Sequence, residues 1–382
     1  KMPRDPANST YCAVQAGWWD GANDFGNVGG ITPVDPKLKG LYVDQFGAQL
    51  EYEVLSDLSV GFDYQGRRQG TMIEDMSDND GNTYFISNPG QNKPFAATYY
   101  PGYASSFTVT KNPKEVSALD NFTRREITVK MPAPVRDYDG FTLKVTKNFS
   151  QNWLAQASYT YSNLTGNVAG VFDPVTGQLD PGINAEYDLA TLMANKTGRL
   201  PGDRPHVFKL FGAYNFKLSP KMSLTTSAAF NAQSGIPVGA NGAHPLYGSG
   251  YAYLVQRGGA GRTPFTTNLD VGGRFEYTIT PPYAVKVSVD VFNVLNSQDI
   301  TAIDNNYTFD AVQPIGNVKC DVAAAGSSNP IGKLQSSCPQ LAYLKTVDGR
   351  PVNVNPNWGR AVAATASYQA PLSLRIGLAL TF

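Results

Sequence analysis

Apolar and polar residues alternate with a period of two along nine separate stretches of this chain. The first sets Phe46, Ala48, Leu50, Tyr52 and Val54 against Gln45, Gly47, Gln49, Glu51 and Glu53. The others run through 58–67, 141–146, 153–162, 208–216, 222–231, 268–277, 283–291 and 372–382. Successive side chains of a strand point to opposite faces, so each stretch predicts a β-strand with one apolar side. Tilted, each is long enough to cross a bilayer.

The connections between these strands alternate strictly between tight and long. Ser56-Asp57, Ser150-Gln151-Asn152, residues 218–221 and Thr280-Pro281-Pro282 are tight, whereas residues 75–136, 167–203, 236–263 and 297–370 are long. Loops of that length with no obvious helix are unusual in a compact soluble domain. An outer-membrane β-barrel keeps short turns on the periplasmic side and long loops outside. Nine crossings leave the two chain ends on opposite sides, but single-chain bacterial barrels have an even strand count. The expectation is an extracellular loop segment over 1–40, the C-terminal part of a barrel over 41–382, and an upstream part carrying the missing strands. Lys1 is not an initiator Met and no apolar leader follows it, which fits a removed leader or the later part of a longer chain.

Composition narrows the class. With 31 Lys plus Arg against 31 Asp plus Glu, the chain has no excess of either charge to bind nucleic acid. Charged residues make up 16%, below the roughly 25% usual in soluble domains. Mean hydropathy is nevertheless −0.27, and no apolar run approaches the ~18 residues of a membrane helix. An all-β transmembrane antiparallel barrel satisfies both, because its apolar residues are spread over alternate positions.

The aromatic positions agree. Phe149 and Trp153 flank one short turn, Phe216 and Met222 the next, and Tyr277 and Tyr283 the third, while Phe382 ends the chain. Rings at one depth make an interfacial girdle. A charge facing lipid costs about 2–4 kcal/mol for Arg or Lys at the midplane. Glu51, Glu53, Asp63, Arg67, Lys144, Asp270, Arg274, Glu276, Lys286, Asp290 and Arg375, which oppose the apolar positions, are therefore expected to face the lumen or a plug. Rigid rings in the long segments give contact area at small entropic cost, so Trp18, Trp19, Tyr99, Tyr100, Tyr103, Tyr251, Tyr253 and Trp358 are candidates for substrate binding. The same rings could instead hold the loops together.

No catalytic motif stands out, and the chain is read as not an enzyme. Gly258-Gly259-Ala260-Gly261 lies in a long segment without a following helix and reads as a turn. Residues 75–82 carry acidic spacing close to a calcium loop, but Met76 and Ser87 fall at the first and last ligand positions, so no cofactor or metal is expected. Cys320 and Cys338 bracket a Gly/Ser/Pro-rich stretch and could pair in an oxidising compartment; the alternative is unpaired thiols.

The last strand alternates up to Leu378, Leu380 and Phe382, and resembles the C-terminal signal read by the barrel assembly machinery of bacterial outer membranes. Asp35-Pro36-Lys37-Leu38, the 140–162 hairpin, Asp203-Arg204-Pro205-His206 and Val289-Asp290-Val291-Phe292-Asn293-Val294-Leu295-Asn296, in this order and spacing, resemble the Oar-like branch of the TonB-dependent receptors. That resemblance implies the last nine strands of a 22-stranded barrel, with a plug and a TonB contact upstream. It implies a transporter whose substrate passes as the plug rearranges, and the large, neutral, aromatic-rich loops fit capture of a peptide, protein or glycan better than of a small iron chelate. A passive porin and a surface adhesion protein remain the alternatives.

Overall fold

A computed structural model of the chain describes residues 34–77, 84–91, 95–99, 108–109, 125–173, 178–179, 185–312, 329–363 and 367–382. Nine long strands build one wall: β1 (Val43–Leu55), β2 (Leu58–Gln69), β3 (Arg136–Ser150), β4 (Trp153–Gly166), β5 (His206–Ser219), β6 (Met222–Gln233), β7 (Thr266–Thr280), β8 (Tyr283–Phe292) and β9 (Ser373–Thr381). They pair in sequence order, each antiparallel to the next, so all nine predicted strands are present as an uninterrupted meander. Lengths of 9 to 15 residues match a tilted bilayer crossing.

Local chemistry sets the hairpins. Gln151 and Asn152 both take positive φ, 50° and 67°, as a two-residue type I′ turn between right-twisted strands requires. All four tight hairpins carry a register irregularity beside the turn, at 53/55, 147/150, 217/219 and 278/280. Such bulges add local twist.

Register then distributes the side chains. Leu143, Tyr159, Phe208 and Ala232 succeed one another across four strands, as do Phe275, Val287 and Leu378 across three. The wall's apolar face is open to its surroundings: Leu50 is 70% exposed, Ile376 69% and Leu378 72%. A continuous face of this size would drive a soluble protein to associate, and in a membrane it is the lipid contact. The rings flanking the short turns lie on this face, with Phe149, Trp153, Phe216, Tyr277, Tyr283 and Phe382 all exposed. A second ring belt, not predicted, crosses the same face toward the long-loop end. There Tyr64 stacks on Phe141 at 4.9 Å, Phe208 meets Phe230 at 6.0 Å, and the Tyr159 hydroxyl meets His206 Nδ1 at 2.8 Å.

On the opposite face three of the predicted charged pairs meet across neighbouring strands. Lys144 pairs with Asp63, Lys286 with Glu276 at 3.5 Å, and Arg375 with Asp290 at 2.9 Å, each across neighbouring strands. Polar neighbours complete the face, including Thr142 with Thr160 and Asn215 with Thr225, both at 2.8 Å.

Among the described residues the clustered buried core is not in the wall, which contributes only single buried side chains such as Leu164 and Ala232. It lies where the long connections meet, in one cluster around Leu254, Tyr307, Leu334 and Trp358 and a smaller one around Leu189 and Leu192. The last connection holds a helix, α1 (Pro330–Ser337), which the reading of helix-free loops missed. Pro at its first turn and Asn329, whose Oδ1 accepts from Gly332 N at 2.9 Å, start it, and Leu334 anchors it.

Candidate functional site

The two motifs that carried the family resemblance tie the strand tops to the long connections. Asp203 is buried; its Oδ1 accepts from Leu164 N at 2.8 Å and its Oδ2 pairs with Arg262. Arg204 donates to the Ser234 carbonyl at 2.7 Å, and His206 N to Ser234 Oγ at 3.1 Å. The Asp-Arg-Pro-His run thus joins β4, β5 and β6 to the 236–263 connection. His206 itself faces outward, in keeping with a structural role.

Further across the wall, at the same end of the strands, Asn293 adopts φ 50° and is buried. Its backbone N donates to Asp270 Oδ1 at 2.8 Å, and its side chain donates to the carbonyls of Ser297 and Ala370 at 2.9 and 2.7 Å. Asn296, at φ 48°, accepts from Leu372 N at 3.0 Å. The Phe-Asn-Val-Leu-Asn segment therefore binds β7, β8 and the approach to β9. Asn tolerates the left-handed region better than most residues, which explains its use at both positions.

Above these ties the connections interlock into a cap. Its centre is an ionic cluster: Glu186 meets Arg257 at 3.3 Å and Lys196 at 3.6 Å, all three buried. Burial alone pushes the Glu186 carboxyl up, but Arg257 and Lys196 outweigh it, and the carboxyl stays below its ordinary range. Burial lowers Lys196, with Glu186 opposing. Gly258, at φ 67°, lies so close to this region that a Cβ there would meet the Arg199 carbonyl at 2.7 Å, so the glycine-rich run is a close backbone approach rather than a loose turn.

A chain of hydroxyls extends the cap. Tyr84 and Tyr247 hydroxyls are 2.6 Å apart, Tyr247 donates to Asp188, and Ser77 N donates to the Asp188 carbonyl at 2.7 Å. Burial, then Asp188, pushes the Tyr247 hydroxyl far up. His244 Nε2 lies 2.9 Å from Thr191 Oγ1, and burial pushes its imidazole down to about 3.

His244 gives the cap a pH dependence whose sign is fixed. The folded cap holds it neutral, whereas the unfolded chain protonates near the ordinary ~6.5. Stability is complete above that value and is lost as pH falls from ~6.5 towards 3, by about 2 kcal/mol at pH 5. Hydrogen exchange over 236–263 should accelerate through this window, and His244→Gln should abolish the acceleration; an exchange profile flat from pH 7 to 4 would contradict it.

Beneath the cap surface is a cavity of about 300 Å³. It lies between the 185–196 segment, a three-stranded sheet of Gly248–Tyr253, Asn241–His244 and Asn306–Ala311, and residues 303–306. Tyr251 and Tyr253, two of the predicted binding rings, line it.

Trp358 is placed otherwise. It is 0% exposed, its Nε1 donates to the Gly239 carbonyl at 3.0 Å, and it meets Tyr307 edge-on at 5.9 Å. The indole fills the cap's core and has no face left for a ligand, which corrects its reading as a binding ring. Tyr99 ends the strand Phe95–Tyr99. Trp18, Trp19, Tyr100 and Tyr103 lie outside the described residues, as does most of the calcium-like stretch. Cys338 is disulfide-bonded, and Cys320 lies outside the described residues. The cavity-lining Asn241, Asp304, Asn305 and Asn306 were not singled out by sequence, since they belong to no periodic pattern and no motif.

The comparisons with known proteins bear on the wall and the cap together. The family described as an outer membrane beta barrel domain matches residues 4–235. The TonB-dependent transporter Oar of Myxococcus xanthus is 36% identical over 360 residues, 94% of this chain and 30% of that protein. This chain thus spans about a third of its relative's length. Among solved structures, P. aeruginosa FpvA bound to heterologous pyoverdines is similar over 70% of this chain and 25% of its own, with 13% identity and a TM-score of 0.34. A lipid-type face, a polar face and alternating short and long connections are features of an outer-membrane barrel, and the chain belongs to the outer membrane β-barrel domain family, as part of the barrel wall in the bacterial outer membrane.

Proposed function

We propose that this chain is the C-terminal wall and loop cap of a TonB-dependent outer-membrane transporter. The observation that carries this reading is the 36% identity to a TonB-dependent transporter across 94% of the chain. In this reading the cap captures a peptide, protein or glycan-type substrate, and a plug from the rest of the protein rearranges to open the lumen. TonB acts through that other part.

The polar face suits such a role. Lys144, Lys286 and Arg375 are neutralised within the wall, but among the described residues Glu51, Glu53, Arg67 and Arg274 have no ion-pair partner. Charges of both signs left over on one face suit contacts with a plug. The alternating Leu378, Leu380 and Phe382 suit recognition by the barrel assembly machinery.

Flux across the outer membrane in cells making the full-length protein, with and without TonB, tests the reading. Flux that disappears without TonB is the expected result. Flux unaffected by TonB would make the protein a passive channel, and ligand binding with no flux in either strain would make it an adhesion protein.

A further inference from the structure

The polar face carries two neighbouring arginines just beneath the cap. Arg67 of β2 stands opposite Tyr138 of β3, and Arg136 lies two residues further along β3, so alternation puts both side chains on the lumen side. Both are half-buried. Arg67 is the charge that acts on the Arg136 guanidinium, and it has the same sign. Neither arginine has an ion-pair partner among the described residues. Like charges placed together repel unless an anion joins them.

The chain neutralises comparable cations nearby. Arg68, next to Arg67 but on the apolar face, is held by both oxygens of Asp139 at 2.8 and 2.9 Å, with Asp137 at 3.9 Å. On the lumen side Asp63 is taken by Lys144. In the connection above, Glu186 is taken by Arg257 and Lys196, and its Oε2 accepts from Ala169 N at 2.7 Å. Asp63, Asp137, Asp139 and Glu186 are thus engaged elsewhere, and the Arg67–Arg136 pair is left bare.

The pair is also held ready. Arg136 Nε donates to the Ala169 carbonyl at 2.9 Å, and a Cβ on Gly170 would lie 3.5 Å from the same nitrogen. The cap therefore fixes this guanidinium from one side, while its two terminal nitrogens make no hydrogen bond among the described residues. Arg67 Nε is enclosed without a partner, but the terminal nitrogens of both arginines keep open surface. Gly166, opposite Arg136 on β4, adds no side chain that could crowd them. A guanidinium fork matches the paired oxygens of a carboxylate or phosphate, and arginines lining a pore favour anions. A cation would be repelled here, and a neutral group would leave both charges uncompensated.

We propose that Arg67 and Arg136 together bind one oxyanion, a carboxylate or phosphate group carried by the cargo, as it passes from the cap into the lumen. The assignment to cargo rests on the transport reading above, and it adds that the cargo is anionic where it meets this pair.

Phenylglyoxal modification of the full-length protein in detergent, followed residue by residue by mass spectrometry, tests it. Inorganic phosphate and acetate are the probes, sodium chloride of equal ionic strength is the control, and the exposed Arg350 is the reference arginine. Arg67 and Arg136 should react in chloride. Saturating phosphate or acetate should slow both at least about threefold and leave Arg350 unaffected. Arg67→Gln should remove the protection of Arg136, which two independent surface charges would retain, while the protein keeps its folded migration in gels. Arginines unreactive even in chloride would mean that a carboxylate from the rest of the protein occupies them, which overturns the assignment to cargo. Protection no greater than in chloride, equal protection of Arg350, or protection of Arg136 that survives Arg67→Gln would overturn the site itself. The measurement involves no TonB, so the two readings fail separately. Protection without TonB-dependent flux overturns only transport, and flux without protection overturns only the oxyanion site.

Discussion

Glu186→Ala should open the cap while leaving the wall folded. The substitution removes the one carboxylate between two buried cations, and stranding a buried charge typically costs 3–5 kcal/mol. It also removes the acceptor for Ala169 N, held at 2.7 Å by Glu186 Oε2. Two connections depend on this point, since Arg257 donates from 236–263 to Glu186 in 167–203. Limited proteolysis and hydrogen exchange should therefore show both segments exposed together. The strands, whose ladders involve none of these groups, should keep their protection. Glu186→Gln combined with Lys196→Met should recover part of the loss, because it leaves one buried cation without a carboxylate instead of two. Protection unchanged by Glu186→Ala would mean that the cap is held by its apolar clusters alone.

The wall was readable because its determinants are local. Phe46 to Val54 alternates within one strand, and Asn152 sets its own turn, so each element declares itself in about ten residues. Register followed from the short hairpins, which leave little freedom in pairing. The cap has no such shorthand. Glu186 and Arg257 are 71 positions apart, and Trp358 reaches Gly239 across 119. No period or spacing connects residues brought together only by folded loops. That is why Trp358 looked like an exposed binding ring and proved to be a core residue. Tyr251 and Tyr253 were visible as loop aromatics, but the amides opposite them were not. The Asp-Arg-Pro-His and Phe-Asn-Val-Leu-Asn segments were visible through resemblance, yet their role as ties between strand tops and loops emerged only from Asp203 with Arg262 and Asn293 with Asp270.

The central claim is that one face of this wall meets lipid and the other does not, and paired arginine substitutions at adjacent positions of β6 measure it. Ala228 sits near the middle of the strand on the apolar face, in register with Gly212 and Val271. Ser227, one residue away, faces the other side, where it and Asp290 flank Gly272. An arginine at 228 would be placed in hydrocarbon near the midplane, at a cost of about 2–4 kcal/mol. An arginine at 227 would stay on the polar face beside Asp290, and its effect should remain within about 0.5–1 kcal/mol, as for an ordinary surface change. Denaturant unfolding of the full-length barrel in phospholipid vesicles reads both values in one series. A large loss for Ala228→Arg with a small one for Ser227→Arg is the expected result; equal losses, or the larger loss at Ser227, would contradict the assignment of the two faces.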